Sequence, residues 1–105
     1  MRCLQIGLGV AMLMTMTAAG ARADAIDGNW CASDGKVMTI EGPRIVTPGG
    51  TSATGAYTRH AFAYVVPADE QSAGSEVRLV LLNEETVRMV AGPGPEIWHR
   101  CDVTS

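Results

Sequence analysis

Lysine is nearly missing from this chain: Lys36 is the only one among 105 residues, and nowhere do basic residues form a run. A grip on nucleic acid or on an anionic membrane surface needs a basic patch, so neither partner is expected. The short signatures of common chemistry are missing too. There is no Gly-x-Ser-x-Gly elbow, no glycine-rich phosphate loop, no His-Glu-x-x-His pair and no Cys-x-x-Cys, which removes the usual marks of hydrolase nucleophiles, nucleotide sites, zinc and dithiol redox centres. His60 and His99 are the only imidazoles. Even with a carboxylate from Glu41, Glu96 or Asp102 they make a poor metal set, so no metal, no cofactor and no catalytic residue is assigned. Aromatic residues amount to 5%, charged residues to 18% and hydrophobic ones to 47%, the composition of one small folded domain.

No apolar run reaches the ~20 residues of a bilayer-spanning helix. The longest one opens the chain. A charged start, Met1-Arg2, leads through an apolar stretch from Leu4 to Ala19 into Ala21-Arg22-Ala23. Small residues stand three before and immediately before a cut after Ala23, the pattern of a secretory signal peptide over residues 1–23. The competing reading, a membrane anchor, calls for a longer run ending in basic residues. Cys3 precedes the apolar stretch and so does not stand where a lipoprotein carries its acylated cysteine. The expectation is a periplasmic or secreted domain over residues 24–105, with no membrane span in the mature form. Eight basic residues less Arg2 and Arg22 leave six against 11 acidic ones, a net charge of −5.

Cleavage also removes Cys3, leaving Cys31 and Cys101 in an oxidising compartment, where a disulfide between them is expected. Free thiols or a two-ligand metal corner are the alternatives. A bridge would close a loop of 70 residues, worth roughly 4 kcal/mol of restricted unfolded-chain entropy. For a domain this small, that contribution weighs heavily.

From Trp30 onward apolar residues alternate in short runs punctuated by glycine and proline, and no stretch of a dozen residues keeps a helical period. The pattern predicts an all-β antiparallel meander of about six to seven strands closing into a barrel or sandwich. Strands are read over 28–32, 36–41, 44–47, 55–66, 76–82, 86–91 and 96–101. Thr47-Pro48-Gly49-Gly50 fits a type II turn, with proline second and glycine third. Asn83-Glu84-Glu85-Thr86 reads as a short hairpin loop with both carboxylates at its solvated tip. Alternation along the long fourth strand places His60, Phe62, Tyr64 and Val66 on a core face, and Tyr57, Arg59, Ala61, Ala63 and Val65 on the other. Around Val80 and Leu82, between Arg78 and Arg88, the outer face is apolar enough to suggest a second cover from loops or a partner.

Two sets of residues resemble known families. Gly28-Asn29-Trp30 on the first strand is similar to the Gly-x-Trp opening of lipocalin-like barrels, in which a basic residue from the end of the barrel covers the tryptophan; the resemblance implies that role for Arg100. At 82 mature residues this chain is far shorter than a lipocalin, so a barrel packed solid is expected. Separately, a cysteine in the first strand bridged to one at the C-terminus of a small exported barrel resembles the periplasmic inhibitors of c-type lysozyme. Thr51-Ser52-Ala53-Thr54-Gly55-Ala56-Tyr57 is similar to their Ser-x-Ser-Gly-x-Tyr loop, which enters the enzyme's cleft. Thr54 stands where that family carries serine, and the later Trp-x-Lys-Gly segment is missing.

The functional expectation is an exported non-catalytic module that binds a protein or envelope component, with inhibition of a lysozyme-like hydrolase or a small ligand in a barrel mouth as alternatives. Candidate contacts are Ser52, Thr54, Gly55 and Tyr57, from the 47–55 loop and the strand after it, with Arg59 and Trp98, where cations stand beside aromatics. Cross-strand packing is the competing reading for Arg59-His60 and His99-Arg100 beside Phe62, Tyr64 and Trp98.

Overall fold

The computed structural model describes residues 25–101; the expected signal peptide, its cut after Ala23 and Asp102 lie outside the described residues. Every regular element among the described residues is a β-strand: β1 (Gly28–Cys31), β2 (Val37–Glu41), β3 (Arg44–Val46), β4 (Ser52–Thr54), β5 (Ala56–Thr58), β6 (Ala61–Val65), β7 (Glu76–Asn83), β8 (Thr86–Ala91) and β9 (Ile97–Arg100). They form one antiparallel sheet in the order β4-β3-β2-β1-β9-β8-β7-β6-β5. The two outermost strands of that order, β4 and β5, are separated in the chain by Gly55 alone. The sheet is therefore nearly closed into a barrel, with one bent strand serving β3 by its first half and β6 by its second. At the bend the Gly55 N–H donates to the Pro43 carbonyl at 2.8 Å, and a Cβ there would lie 2.2 Å from the Ala63 carbonyl oxygen. Only a residue without a side chain lets the strand pass so close while it changes partners.

Nine strands replace the six to seven expected, for two local reasons. First, the 55–66 run is broken by a turn at Arg59-His60, which resets the alternation. Phe62, Tyr64 and Val66 are buried as expected, but His60 is exposed, and Tyr57 packs inward against the core. Second, residues 52–54, expected within a loop, pair with β3 in the register Val46↔Ser52, Ile45↔Ala53 and Arg44↔Thr54. Small polar residues carry little strand propensity, and here backbone pairing to a neighbour overrides it. The turn before β4 also differs from expectation. Its positive φ falls on Gly50 and not on Gly49, the pattern of a three-residue connection with a bulge rather than a type II turn. The β7–β8 hairpin is as expected, its turn fastened by the Glu85 N–H donating to Asn83 Oδ1 at 2.8 Å.

The barrel interior is solid. Trp30 and Trp98 are 0% exposed and Phe62 1%, and they pack in one cluster with Ile26, Met38, Ile40, Ile45, Leu79 and Val87. Each large side chain so buried contributes about 1.5–3 kcal/mol from the water it leaves. Outside, no described residue covers the β7–β8 face: Leu82 is 51% and Val90 52% exposed. Loops of this chain do not supply the expected cover there, and Arg78–Glu76 and Arg88–Glu96 ion pairs at 3.2 and 2.8 Å lie on the surface.

Cys31 and Cys101 form the expected disulfide, with Cα atoms 5.0 Å apart. It ties β1 to the residue after β9. Among neighbouring strands, β1 and β9 are the pair farthest apart in sequence, so the covalent link sits where chain entropy opposes pairing most.

Candidate functional site

Antiparallel order sorts the connections to two ends of the barrel. At one end lie residues 25–27 with the β2–β3, β5–β6 and β7–β8 turns; at the other lie the β1–β2, β3–β4, β6–β7 and β8–β9 connections.

The first end is plugged. Ile26 is fully buried there, its N–H donating to the Arg59 carbonyl at 2.6 Å and its carbonyl accepting the Trp30 Nε1 proton at 2.8 Å. Arg100 holds the plug down. Its guanidinium carbon lies 4.3 Å from the centroid of the Trp30 ring, and its nitrogens donate to the carbonyls of Ala25, Asp27 and Glu84 at 2.9, 2.8 and 2.6 Å. A planar cation with a fork of donors suits both tasks, stacking and bridging three backbone segments. A Cβ on Gly28 would stand 2.4 Å from Arg100 Nη1, which explains a glycine two residues before the covered tryptophan. Asp27 completes this end by accepting from the Tyr57 hydroxyl and, at 2.8 Å, from the Gly42 N–H.

The second end is open. A cleft of about 380 Å³ lies there, floored by Tyr64, Val66, Val77 and Met89 and walled by Pro48-Gly49, the 69–72 segment and Pro93-Gly94-Pro95. The 66–75 connection shapes it by folding on itself: the Val66 N–H donates to the Ser75 carbonyl at 2.9 Å and the Gly74 N–H to the Val66 carbonyl at 3.0 Å. From this loop Glu70 reaches across to the β3–β4 turn, where it accepts from Thr47 Oγ1, a hydroxyl on a residue only 1% exposed. That bond fastens the loop across the gap that opens where the bent strand leaves β6.

Acidic groups dominate the rim. Asp69 and Glu70 stand against Lys36, whose ammonium is already paired with Asp34 at 3.3 Å. Within the cleft Tyr64 is 6% exposed, and no hydrogen bond from its hydroxyl occurs among the described residues. Burial, reinforced by the Glu70 charge, pushes its phenol up to about 12. Tyr57 is also raised, first because its hydroxyl donates to Asp27, then through burial and the charge of that carboxylate.

A pH prediction follows from these two phenols. Folding favours their neutral forms, whereas in the unfolded chain both ionise near pH 10. The Tyr64 contribution to stability is therefore complete below pH 10 and is lost as pH rises from there through about 12. Ultraviolet titration of the native protein should show less phenolate at pH 10 than the half-ionised denatured chain, and Tyr64→Phe should blunt alkaline unfolding. A native protein half ionised at pH 10 would contradict the assignment.

The residues singled out in the sequence do not converge. Ser52 and Thr54 are exposed on β4, Gly55 is the bend, and Tyr57 is half-buried beside Asp27. Arg59 is exposed in the turn at the plugged end. Trp98 lies wholly in the core, its Nε1 donating to the Pro95 carbonyl at 2.9 Å, and takes no part in a surface. The 66–75 connection was not singled out, and Tyr64, expected on the core face, lies beneath it in the cleft. The length of that connection was the available signal: ten residues between two apolar strands, where the other hairpin connections take two to five. Among the described residues no three histidine, cysteine or acidic side chains come together as a metal site. Comparison with protein-family models, with curated proteins and with solved structures finds no match to this chain.

Proposed function

We propose that this chain is an exported, non-catalytic binding module that engages a protein or envelope component with the open, loop-bearing end of its barrel. One observation carries the reading. The interior is filled by Trp30, Trp98 and Phe62, so the concave surfaces lie at the barrel ends; the one at the loop end has an apolar floor of Val66, Val77 and Met89, whereas the one at the plugged end is lined mainly by polar residues such as Asp27, Asn29, Glu41 and Arg100. Export is supported by the signal-like residues 1–23 and is consistent with the Cys31–Cys101 bridge. Loops positioned by a closed sheet are where binding residues ordinarily sit.

Site-directed cross-linking tests the orientation. A cross-linker placed at Gln71, on the loop end, should capture a partner from a periplasmic extract, while the same group at Glu84, in the turn at the plugged end, should not. Capture from Glu84 alone, or from neither position, would overturn the reading.

The exposed hydroxyls of Ser52 and Thr54 on β4, within the segment similar to the inhibitory loop of c-type lysozyme inhibitors, make that enzyme the first defined partner to assay. If it is the partner, stoichiometric protein should inhibit it, and Ser52→Tyr should weaken inhibition by about 30-fold, the effect of losing a central contact worth about 2 kcal/mol.

A further inference from the structure

We propose that the loop-end cleft receives a single lysine or arginine side chain of a partner protein, its aliphatic stem lying on Met89 and Val77 and its cation meeting Glu70 and Asp69. This deepens the reading of the chain as a protein-binding module and rests on it.

Size limits the occupant first. A cleft of about 380 Å³ is at the small end of the roughly 300–1,000 Å³ that ligand pockets span. It has room for one extended side chain and not for a folded segment.

Charge selects its sign. Glu70 is half-buried, and its hydrogen bond from Thr47 uses Oε2, while no described hydrogen bond or ion pair engages Asp69 or Glu70 Oε1. The one cation on the rim, Lys36, has its charge met by Asp34. With six basic residues against 11 acidic ones after residue 23, the whole domain also draws cations toward itself.

The Glu70 carboxylate is set in place rather than left to wander. A Cβ on Gly49 would stand 2.4 Å from its Cδ and 2.6 Å from Oε1. Gly49 does not have a positive φ, so its backbone does not call for glycine. The space over it is filled by the carboxylate. Thr47 holds that carboxylate from the other side, leaving an anion fixed at the mouth of an apolar floor, where a paired cation gains more than it would in open water.

Tyr64 supplies the independent mark of a ligand. The residue is only 6% exposed, it lines the cleft, and its hydroxyl has no hydrogen-bond partner among the described residues. Buried hydroxyls are nearly always hydrogen-bonded, because one left without a partner has lost its bond to water and gained none in return. An ammonium or guanidinium seated against Glu70 brings N–H donors to that oxygen, and a neutral phenol is able to accept them. The apolar stem covers Met89 and Val77, whose contacts do not depend on the charge.

The experiment uses the purified protein and blocked amino acids as isolated side chains. N-acetyl-lysine-N-methylamide and its arginine counterpart are titrated while the Met89 methyl and Tyr64 ring resonances are followed, with the norleucine analogue as an uncharged control. Saturable shifts at both residues are expected, with affinity on the order of 1 mM for so small a ligand, at least tenfold tighter than norleucine. Glu70→Gln should lose that tenfold preference. Gly49→Ala, which displaces the carboxylate without touching the floor, should lose most of it. Equal binding of lysine and norleucine analogues, or shifts elsewhere than the cleft, would overturn the proposal. So would binding of free n-butylammonium with exclusion of the blocked lysine, which would make the ligand a small amine. Failure here with partner cross-linking from Gln71 intact removes only the cationic side chain; loss of cross-linking removes the binding reading itself.

Discussion

Replacing Cys101 by serine should lower the stability of the protein by about 4 kcal/mol, within the range of roughly 2–5 kcal/mol found when small exported domains lose a native bridge. The bridge spans 70 residues, and in the loop-entropy account the freed chain regains the disorder that the link had denied it. The position of the bridge makes that cost act on one particular pairing. Strand β1 meets β9 through Trp30↔Arg100 and Cys31↔His99, a pairing that the chain has to close over its whole length, while its other pairings are between strands adjacent in sequence. Without the link, this pairing alone bears the closure cost. The Arg100 stack on Trp30 and the three carbonyls it bridges depend on the same pairing, so the plug over residues 25–27 should loosen with it. Urea unfolding with and without reductant measures the effect. A melting temperature lowered on the order of 20 °C is expected for a domain of this size, and Cys31→Ser should match Cys101→Ser because both remove the same bond. A loss under about 1 kcal/mol would mean that the barrel closes without help, since surface substitutions alone stay within ±0.5 kcal/mol.

The second large effect concerns a single methyl group. Gly55→Ala should destabilise the protein by about 3 kcal/mol, and by more if β5 separates from β6. The added Cβ would fall 2.2 Å from the Ala63 carbonyl oxygen, 2.8 Å from Phe62 Cε1 and 3.0 Å from Tyr64 Cβ. Overpacking a filled interior costs typically 1–3 kcal/mol. Here one of the atoms struck is backbone oxygen, which cannot turn aside as a flexible side chain does. Relief requires the bent strand to move away from β6, with loss of the Ala56↔Ala63 and Tyr57↔Phe62 pairing and of the Tyr57 bond to Asp27. Each hydrogen bond lost adds about 0.5–1.5 kcal/mol. Thr54→Ala, one residue earlier and exposed on β4, is the control and should stay within 0.5 kcal/mol. Amide exchange should speed up first at β5 and β6 in Gly55→Ala; unchanged exchange there would show that the bend tolerates a side chain. A bulky residue at Gly55 is therefore unsuited to probing partner binding, because it would open the barrel before any partner was met.

Period-two alternation and glycine and proline punctuation made the strands legible wherever one face is apolar and the other polar. The β7–β8 hairpin, the inward Phe62 and Tyr64 and the strand bearing Trp30 all belong to that class. The disulfide was legible as well, from two cysteines remaining after a signal-like leader. Arg100 over Trp30 was implied by a short resemblance and stands in the structure as a stack with three hydrogen bonds.

β4 was not legible, because Thr51-Ser52-Ala53-Thr54 has no apolar face to declare it; its strand state comes from the open edge of β3 beside it. The break at Arg59-His60 was hidden because alternation reads straight through a two-residue turn. The cleft depended on contacts between segments far apart in the chain: Glu70 with Thr47, Gly49 beneath Glu70, and Pro93-Gly94-Pro95 opposite. Local pattern and composition, which the sequence carries by itself, determined an all-β chain with a Cys31–Cys101 bridge. Only the tertiary structure decided that one bent strand nearly closes the barrel and that a cleft forms at the loop end, because these depend on which backbone edges and side chains meet across long separations.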